Sequence, residues 1–503
     1  MNKKILASVI SLTLVFGTAL STSVYAEDAE TTVEESISTS YDASVVKSGT
    51  CGEKATWTLD ADGTLTISGT GKMDTSLYPW SEYKSTIKAV VIEEGITDIS
   101  DKAFEDFTAM TSVSFPKSLK TIGVSAFHNC SALKAVKFPE NLETVGAYAF
   151  ILCSSLETVD IPASLTYIDF QVFHGCGSMR HINVAAGNPK YVSVDDVLYS
   201  KDMKEIITYA SKRPGTTFTV PESVEKLCVT SIDFCDELTT VYIGKNVKDF
   251  AFAPFYSSMK LTDIIVSEDN PYFKSVDGVV YSKDGKTLVA VPAGKDYTSF
   301  DIPSGVTNIG IGALATTKIP KINIPDTVKV IDNAAFYANQ QLTDITIPNS
   351  VTEIVDQAFM YCTKLKAVNV PASVKKIADL AFYNCTAMDS ITIENKDCEI
   401  ADSSNAISYN TVIKGHDGST AEAYAKKYDR KFVSLDKKNS KGDVNLDGDI
   451  NVTDIAMVAS HIKGIKALTG DGLKNADVNG DGNVNVTDIA MIASHIKGIK
   501  ALS

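Results

Sequence analysis

Beyond its first twenty residues this chain has no long apolar run, so nothing there is long enough to cross a bilayer as a helix. Positive charge is also scarce: 47 Lys and Arg stand against 62 Asp and Glu, a net charge of −15. That balance argues against nucleic acid or an anionic membrane surface as the main partner, since both want clustered cations. Cysteine is thin, nine in 503 residues, and this excludes a disulfide-stapled mini-protein. Histidine is thinner still, with six. His128, His174, His181, His416, His461 and His495 all read as surface residues. There is no nucleophile motif, no glycine-rich phosphate loop and no zinc-ligand spacing. Nor is any pair of carboxylates marked out as a hydrolase pair. The chain is expected not to be an enzyme.

What is there begins with an address. Lys3 and Lys4 precede an apolar stretch of 16 residues, Ile5 to Leu20, and Val24-Tyr25-Ala26 follows. This pattern predicts a signal peptide over 1–26, cleaved after Ala26. No sorting signal for covalent wall attachment is read, so the protein is expected to be secreted and held at any surface non-covalently. Residues 27–48 are rich in acid, Ser and Thr and predict a flexible tether.

From 49 to 433 the chain is periodic. Phe104, Phe127, Phe150 and Phe173 stand 23 residues apart, as do Phe336, Phe359 and Phe382. Cys130, Cys153 and Cys176 keep the same step, and so do Cys362 and Cys385. A unit of this size cannot bury its apolar face alone. Stacked neighbours can, so the spacing predicts a repeat solenoid with internal Phe and Cys ladders. The thiols read first as small buried hydrophobes, with disulfide bridging between adjacent rungs, about 5 Å apart by strand spacing, as the alternative. Two units stretch to 59 residues, around 174–232 and 256–314, and carry matched inserts, NPKYVSVDDVLYSKD and NPYFKSVDGVVYSKD. Each insert reads as a hairpin excursion. The repeats, with an opening block SGTCGEKATWTLDADGTLTISGTGKM, Pro79-Trp80 and a closing block VIKGHDGSTAEAYAKKYDRKFVSL, resemble the BspA-type leucine-rich repeat family of bacterial surface proteins. The resemblance implies a curved, β-rich solenoid with short helical or turn segments and two end caps, used in adhesion or protein recognition.

A polar linker, 434–441, leads to a unit at 442–503 that is itself duplicated with an offset of 34 residues. Its two 12-residue loops are DVNLDGDINVTD and DVNGDGNVNVTD. Such loops can gather the six to eight oxygens that calcium requires. In the first, Asp443, Asn445 and Asp447 offer side-chain oxygens, Gly448 permits the turn, Asp449 offers its carbonyl, and Asn451 and Asp454 complete the set. In the second the same places hold Asp477, Asn479, Asp481, Gly482, Asn483, Asn485 and Asp488. Each loop feeds a helix, TDIAMVASHIKGIKAL or TDIAMIASHIKGIKAL, in which Ile455, Val458, Ile462 and Ile465 recur at helical spacing and should face the core.

The doubled loop-then-helix pattern, with Asp in place of the EF-hand's closing Glu, resembles the dockerin family of cellulosomes. That resemblance implies a small all-α module, two bound Ca2+ ions, and a cohesin module on a scaffold protein as partner. It also implies contacts at Val452, Thr453, Ala459 and Ser460, and at Val486, Thr487, Ala493 and Ser494 in the copy. Lys463 and Lys497 stand on the same face. The Ser-Thr and basic pairs common in that family are not at these places. The whole then reads as a non-catalytic component of a polysaccharide-degrading complex whose solenoid recognises protein or glycan. A structural spacer or cell-surface adhesin is the alternative, and a hydrolase activity hidden in the repeats a third reading. The middle strand positions, Val91 through Thr392, show neither repeated aromatics nor repeated cations.

Overall fold

The computed structural model describes residues 45–74, 78–436 and 440–502. The expected signal peptide, most of the expected tether and the middle of the linker lie outside them.

Each 23-residue unit closes one coil. One side of the coil is a short strand that alternates inward and outward, as in Thr158–Ile161, where Val159 and Ile161 are buried. This strand pairs in parallel with Ala135–Lys137 on one side and His181–Val184 on the other, every partner 23 residues away. A second side is a two-residue strand, with Thr121–Ile122, Thr144–Val145 and Tyr167–Ile168 in the same register. The third side is the Ala-Phe turn. There the Phe104 N–H donates to the Ala126 carbonyl at 2.8 Å, and the Phe127 N–H to Ala149 at 2.8 Å. Within that turn Ser125 and Tyr148 are left-handed, at φ 54° and 59°. The strain of non-glycine residues there is held by the coil-to-coil ladder.

Both expected ladders are present. Phe336, Phe359 and Phe382 are fully buried and stacked, with centroids 4.7 and 5.2 Å apart. Trp80 starts the other run by stacking on Phe104 at 5.8 Å. The cysteines are free thiols. The Cys153 Sγ–H donates to the Phe127 carbonyl at 3.2 Å, and Cys385 to Phe359 at 3.1 Å. Where a unit lacks Cys, the Ser258 hydroxyl fills the slot and donates to Ile232.

The matched inserts are antiparallel hairpins, Tyr191–Val194 with Val197–Ser200 and Phe273–Val276 with Val279–Ser282. One buried asparagine directs each. The Asn188 amide donates to the Pro162 and Leu165 carbonyls, while its oxygen accepts from the N–H groups of Lys190 and Tyr191. Asn270 repeats this with Gly244, Val247, Tyr272 and Phe273. Side chains bridge the coils that each insert separates: His174 meets Asp233 at 2.5 Å, and Asp233 also accepts from the Gly175 N–H. The surface assignment of His174 and His128 is therefore corrected. Both are buried, and His128 lies 3.0 Å from Glu105 of the preceding coil. A carboxylate from a neighbouring coil satisfies each ring, which is what makes burial tolerable.

Three antiparallel strands, Val45–Thr50, Ala55–Asp60 and Thr64–Gly69, open the stack, and the third joins Ala89–Ile92 in parallel. The first of them includes the last residues of the span expected as tether. At the other end helix α1 (Thr420–Lys427), capped by the Ser419 hydroxyl, packs beside the strands Val412–Gly415 and Phe432–Ser434. Helices α2 (Val452–Ile462), α3 (Gly470–Ala476) and α4 (Val486–Ile496) form the C-terminal unit. The short α3 was not anticipated from the sequence.

Candidate functional site: paired loops and helix faces

In the first loop, Asp454 does two jobs. It is the third residue of α2, and its Oδ2 accepts from the Asn451 N–H at 2.9 Å while the Asn451 side chain caps the helix. Its Oδ1 accepts from the N–H groups of Val444 and Asn445, at 2.8 and 3.1 Å. Asp443 accepts from Asp447 and Gly448 N–H groups, and Gly448 takes φ 94°. The second loop repeats these bonds through Asp488, Asn485 and Asp477. At the fourth loop position the copies differ. Gly480 is left-handed at φ 70°, and Leu446 is held at φ 62°.

Every candidate ligand is an oxygen donor. Asp443, Asp454 and Asp488 are buried, and among the described residues no Lys, Arg or His forms an ion pair with them. Buried carboxylates without a counter-charge are costly, and a hard cation is the counter-charge such an oxygen set suits. The set therefore fits calcium in donor type, order and charge. Among the described residues no three His, Cys, Asp or Glu side chains are gathered into a finished metal cage. The loop oxygens hold their own backbone amides instead.

Helix α2 turns Asp454 and Val458 into the core of the unit, beside Val444, Leu468, Ala476, Val478 and Ile492. Its other face carries Val452, Thr453, Ala459, Ser460 and Lys463, and α4 presents Val486, Thr487, Ala493, Ser494 and Lys497 in the same way. Val452 and Val486 are 70% and 69% exposed. Ala456 and Ala490 lie on these faces too, and sequence reasoning missed them.

The placing of Ile462 and Ile465 in the core is corrected. Helix α2 ends at Ile462, which is 38% exposed, and Ile465 is 74% exposed, as is Ile499 in the copy. The reason is the helix end. Gly464 at φ 68° reverses the chain, and the Ile465 N–H donates back to the Ser460 carbonyl at 2.9 Å. Helical spacing stops there, and Leu468 takes the core place instead. An apolar residue so placed usually packs on the last helical turn, but here that turn offers Ser460. Ile465 is left beside it in solvent. The Leu468 N–H, in turn, is held by His461 Nδ1 at 3.1 Å.

On the solenoid, the middle strand positions are outward-facing as expected, with Tyr242 and Ile265 adjacent and about two-fifths exposed. Among the described residues no helix is long and apolar enough to cross a membrane.

Comparison with known proteins places both parts. The model of the BspA type leucine-rich repeat region matches six copies over residues 81–195, 204–276 and 293–412, more than half of the chain. The dockerin type I domain model matches residues 441–497. No curated protein matches. Similar solved structures include a leucine-rich repeat protein from Eubacterium ventriosum, at 22% identity and a TM-score of 0.43, covering 61% of this chain and 92% of that one. A leucine-rich cell surface protein from Faecalibacterium prausnitzii aligns at 23% identity and a TM-score of 0.37, covering 75% and 97%. The pneumococcal vaccine antigen PcpA aligns at 16% and 0.37, covering 78% and 99%. The chain belongs to the BspA-type leucine-rich repeat family and carries a type I dockerin domain at its C-terminal end.

Proposed function

We propose that this protein is a secreted, non-catalytic component of an extracellular polysaccharide-degrading assembly. Its dockerin docks on a cohesin of a scaffold protein, and its solenoid recognises a protein or glycan. The observation that carries the docking reading is the pair of outward helix faces, alike in sequence and exposure, in a module of a cohesin-binding family. The contacts are Val452, Thr453, Ala459, Ser460 and Lys463 on one face and Val486, Thr487, Ala493, Ser494 and Lys497 on the other.

Two calcium ions complete the module in this reading. Asp443, Asn445, Asp447, Asn451, Asp454 and the Asp449 carbonyl would hold one. Asp477, Asn479, Asp481, Asn485, Asp488 and the Asn483 carbonyl would hold the other. Bound calcium supplies the positive charge that the loop carboxylates lack. The chain's own residues set the docking surface: the capping boxes fix where α2 and α4 begin, and the glycine reversals fix where they end. Both protein families are non-catalytic, which supports a binding role.

The test is calorimetric titration of the full chain against a panel of cohesins in calcium and in EGTA. Saturable one-to-one binding to at least one cohesin, lost in EGTA, is expected. No binding to any member would refute the docking reading.

A further inference from the structure

Two coils separate the matched inserts, and between the inserts the second sheet side opens into a cavity of about 610 Å³. One wall is the turn of the first insert, with Asp202 and Lys204. The other is the start of the second insert, with Asp269, Pro271 and Tyr272. The two intervening coils supply the floor, including Glu222, Glu225, Asn246 and Lys248. The strands beneath run Glu205–Tyr209, Lys226–Leu227 and Asp249–Phe250 in parallel, and the Phe250 ring meets Phe273 of the second insert at 4.8 Å. Four strand rows at the usual spacing make a groove on the order of 14 Å across. The size is that of a small-ligand site.

Its chemistry narrows the ligand. Four carboxylates line it against three lysines, so the formal charge is a single negative. Glu225 sits between Lys204, at 2.8 Å, and Lys248, and this pairing lowers its carboxyl to about 2. Positive and negative groups therefore largely cancel, and the single negative charge left over is too weak a field to draw an ionic polymer. What remains is a bed of hydrogen-bond donors and acceptors beside one aromatic ring, Tyr272, 48% exposed. A polar bed with an exposed ring suits a ligand of many neutral hydroxyls and apolar C–H faces. At the corresponding place in the first insert stands Lys190, so the ring is peculiar to this groove.

We propose that the groove between the two inserts binds a short stretch of neutral glycan, with Tyr272 against a sugar face and Asn246, Asp269 and Asp202 on its hydroxyls. This rests on the reading that the solenoid recognises a ligand, and it names the ligand's class and place.

The experiment is isothermal titration of the full chain with cellohexaose, xylohexaose and mannohexaose, with hexagalacturonic acid as the charged control. Binding of at least one neutral oligosaccharide, unchanged between low and high salt, is expected. Tyr272→Ala should weaken it about tenfold, and Asp269→Asn should weaken it without abolishing it. Neither residue is buried, so both variants should keep the wild-type melting profile. Absence of binding to all three neutral chains, or a salt-sensitive preference for the acidic control, overturns the proposal. Neutral binding untouched by Tyr272→Ala also overturns it but leaves glycan recognition by the solenoid standing.

Discussion

Phe127 and Phe150 lie in neighbouring coils with ring centroids 5.0 Å apart and planes only 6° from parallel, and both rings are fully buried. Each ring is floor to the next, so cutting one away leaves a cavity that the stack cannot refill by local collapse. Phe150→Ala should cost roughly 3–5 kcal/mol. In a quasi-one-dimensional stack the damage should stay near the affected coils. Hydrogen-exchange mass spectrometry should show loss of protection around residues 127–173 and little change beyond residue 300. A uniform loss along the solenoid would contradict this.

The buried thiols should be chemically silent. Burial pushes Cys385 up to about 12 and Cys398 up to about 11, and only thiolate reacts with alkylating agents. Iodoacetamide at pH 8.5 should leave the native protein unlabelled and label all nine cysteines in denaturant. The same shift fixes a sign for stability. The raised thiols favour folding fully below the unfolded value of about 8.5, and that contribution falls away as the pH climbs from there through the folded values. Midpoints of urea unfolding should therefore drop between pH 8.5 and pH 11.

Calcium removal should act on one end of the chain. The C-terminal unit is small for an independent core, and its buried Asp443, Asp454 and Asp488 need a counter-charge. EGTA should abolish exchange protection in α2 and α4 and leave the Phe ladder untouched. Equal protection of α2 with and without chelator would remove the coupling of metal and fold.

The two copies, Asp443–Leu468 and Asp477–Leu502, agree at 22 of 26 positions, and none of the four differences falls at a proposed contact. A cohesin should then accept the module in two orientations related by a half-turn. Thr453→Arg or Thr487→Arg alone should cost only about 0.4 kcal/mol in calorimetry, the loss of one pose in two. The double variant should not bind, a strongly non-additive result. Loss of binding from one single variant would make that helix the sole recognition surface.

How much of this could be read from the residues follows from the range of the interactions. The 23-residue steps of Phe and Cys are visible in one dimension because the coil repeats them, and so the core was legible. The loop-helix pairs were legible because their ligand positions are local. His174 was misread because its partner, Asp233, sits 59 residues on and meets it only across an insert. Ile465 was misread because helical spacing was carried through Gly464, where the helix had already ended. The groove beneath Tyr272 was invisible because four separate segments supply its lining.

The parallel register gives the solenoid one more property. Since the repeat strands pair in parallel with partners one unit away, a whole 23-residue unit can be gained or lost without disturbing the rungs on either side or the capping strands. Each such event would lengthen or shorten the molecule by about 4.8 Å, one strand spacing. The reach of the protein can therefore change over time only in fixed increments, like a ruler cut at its graduations.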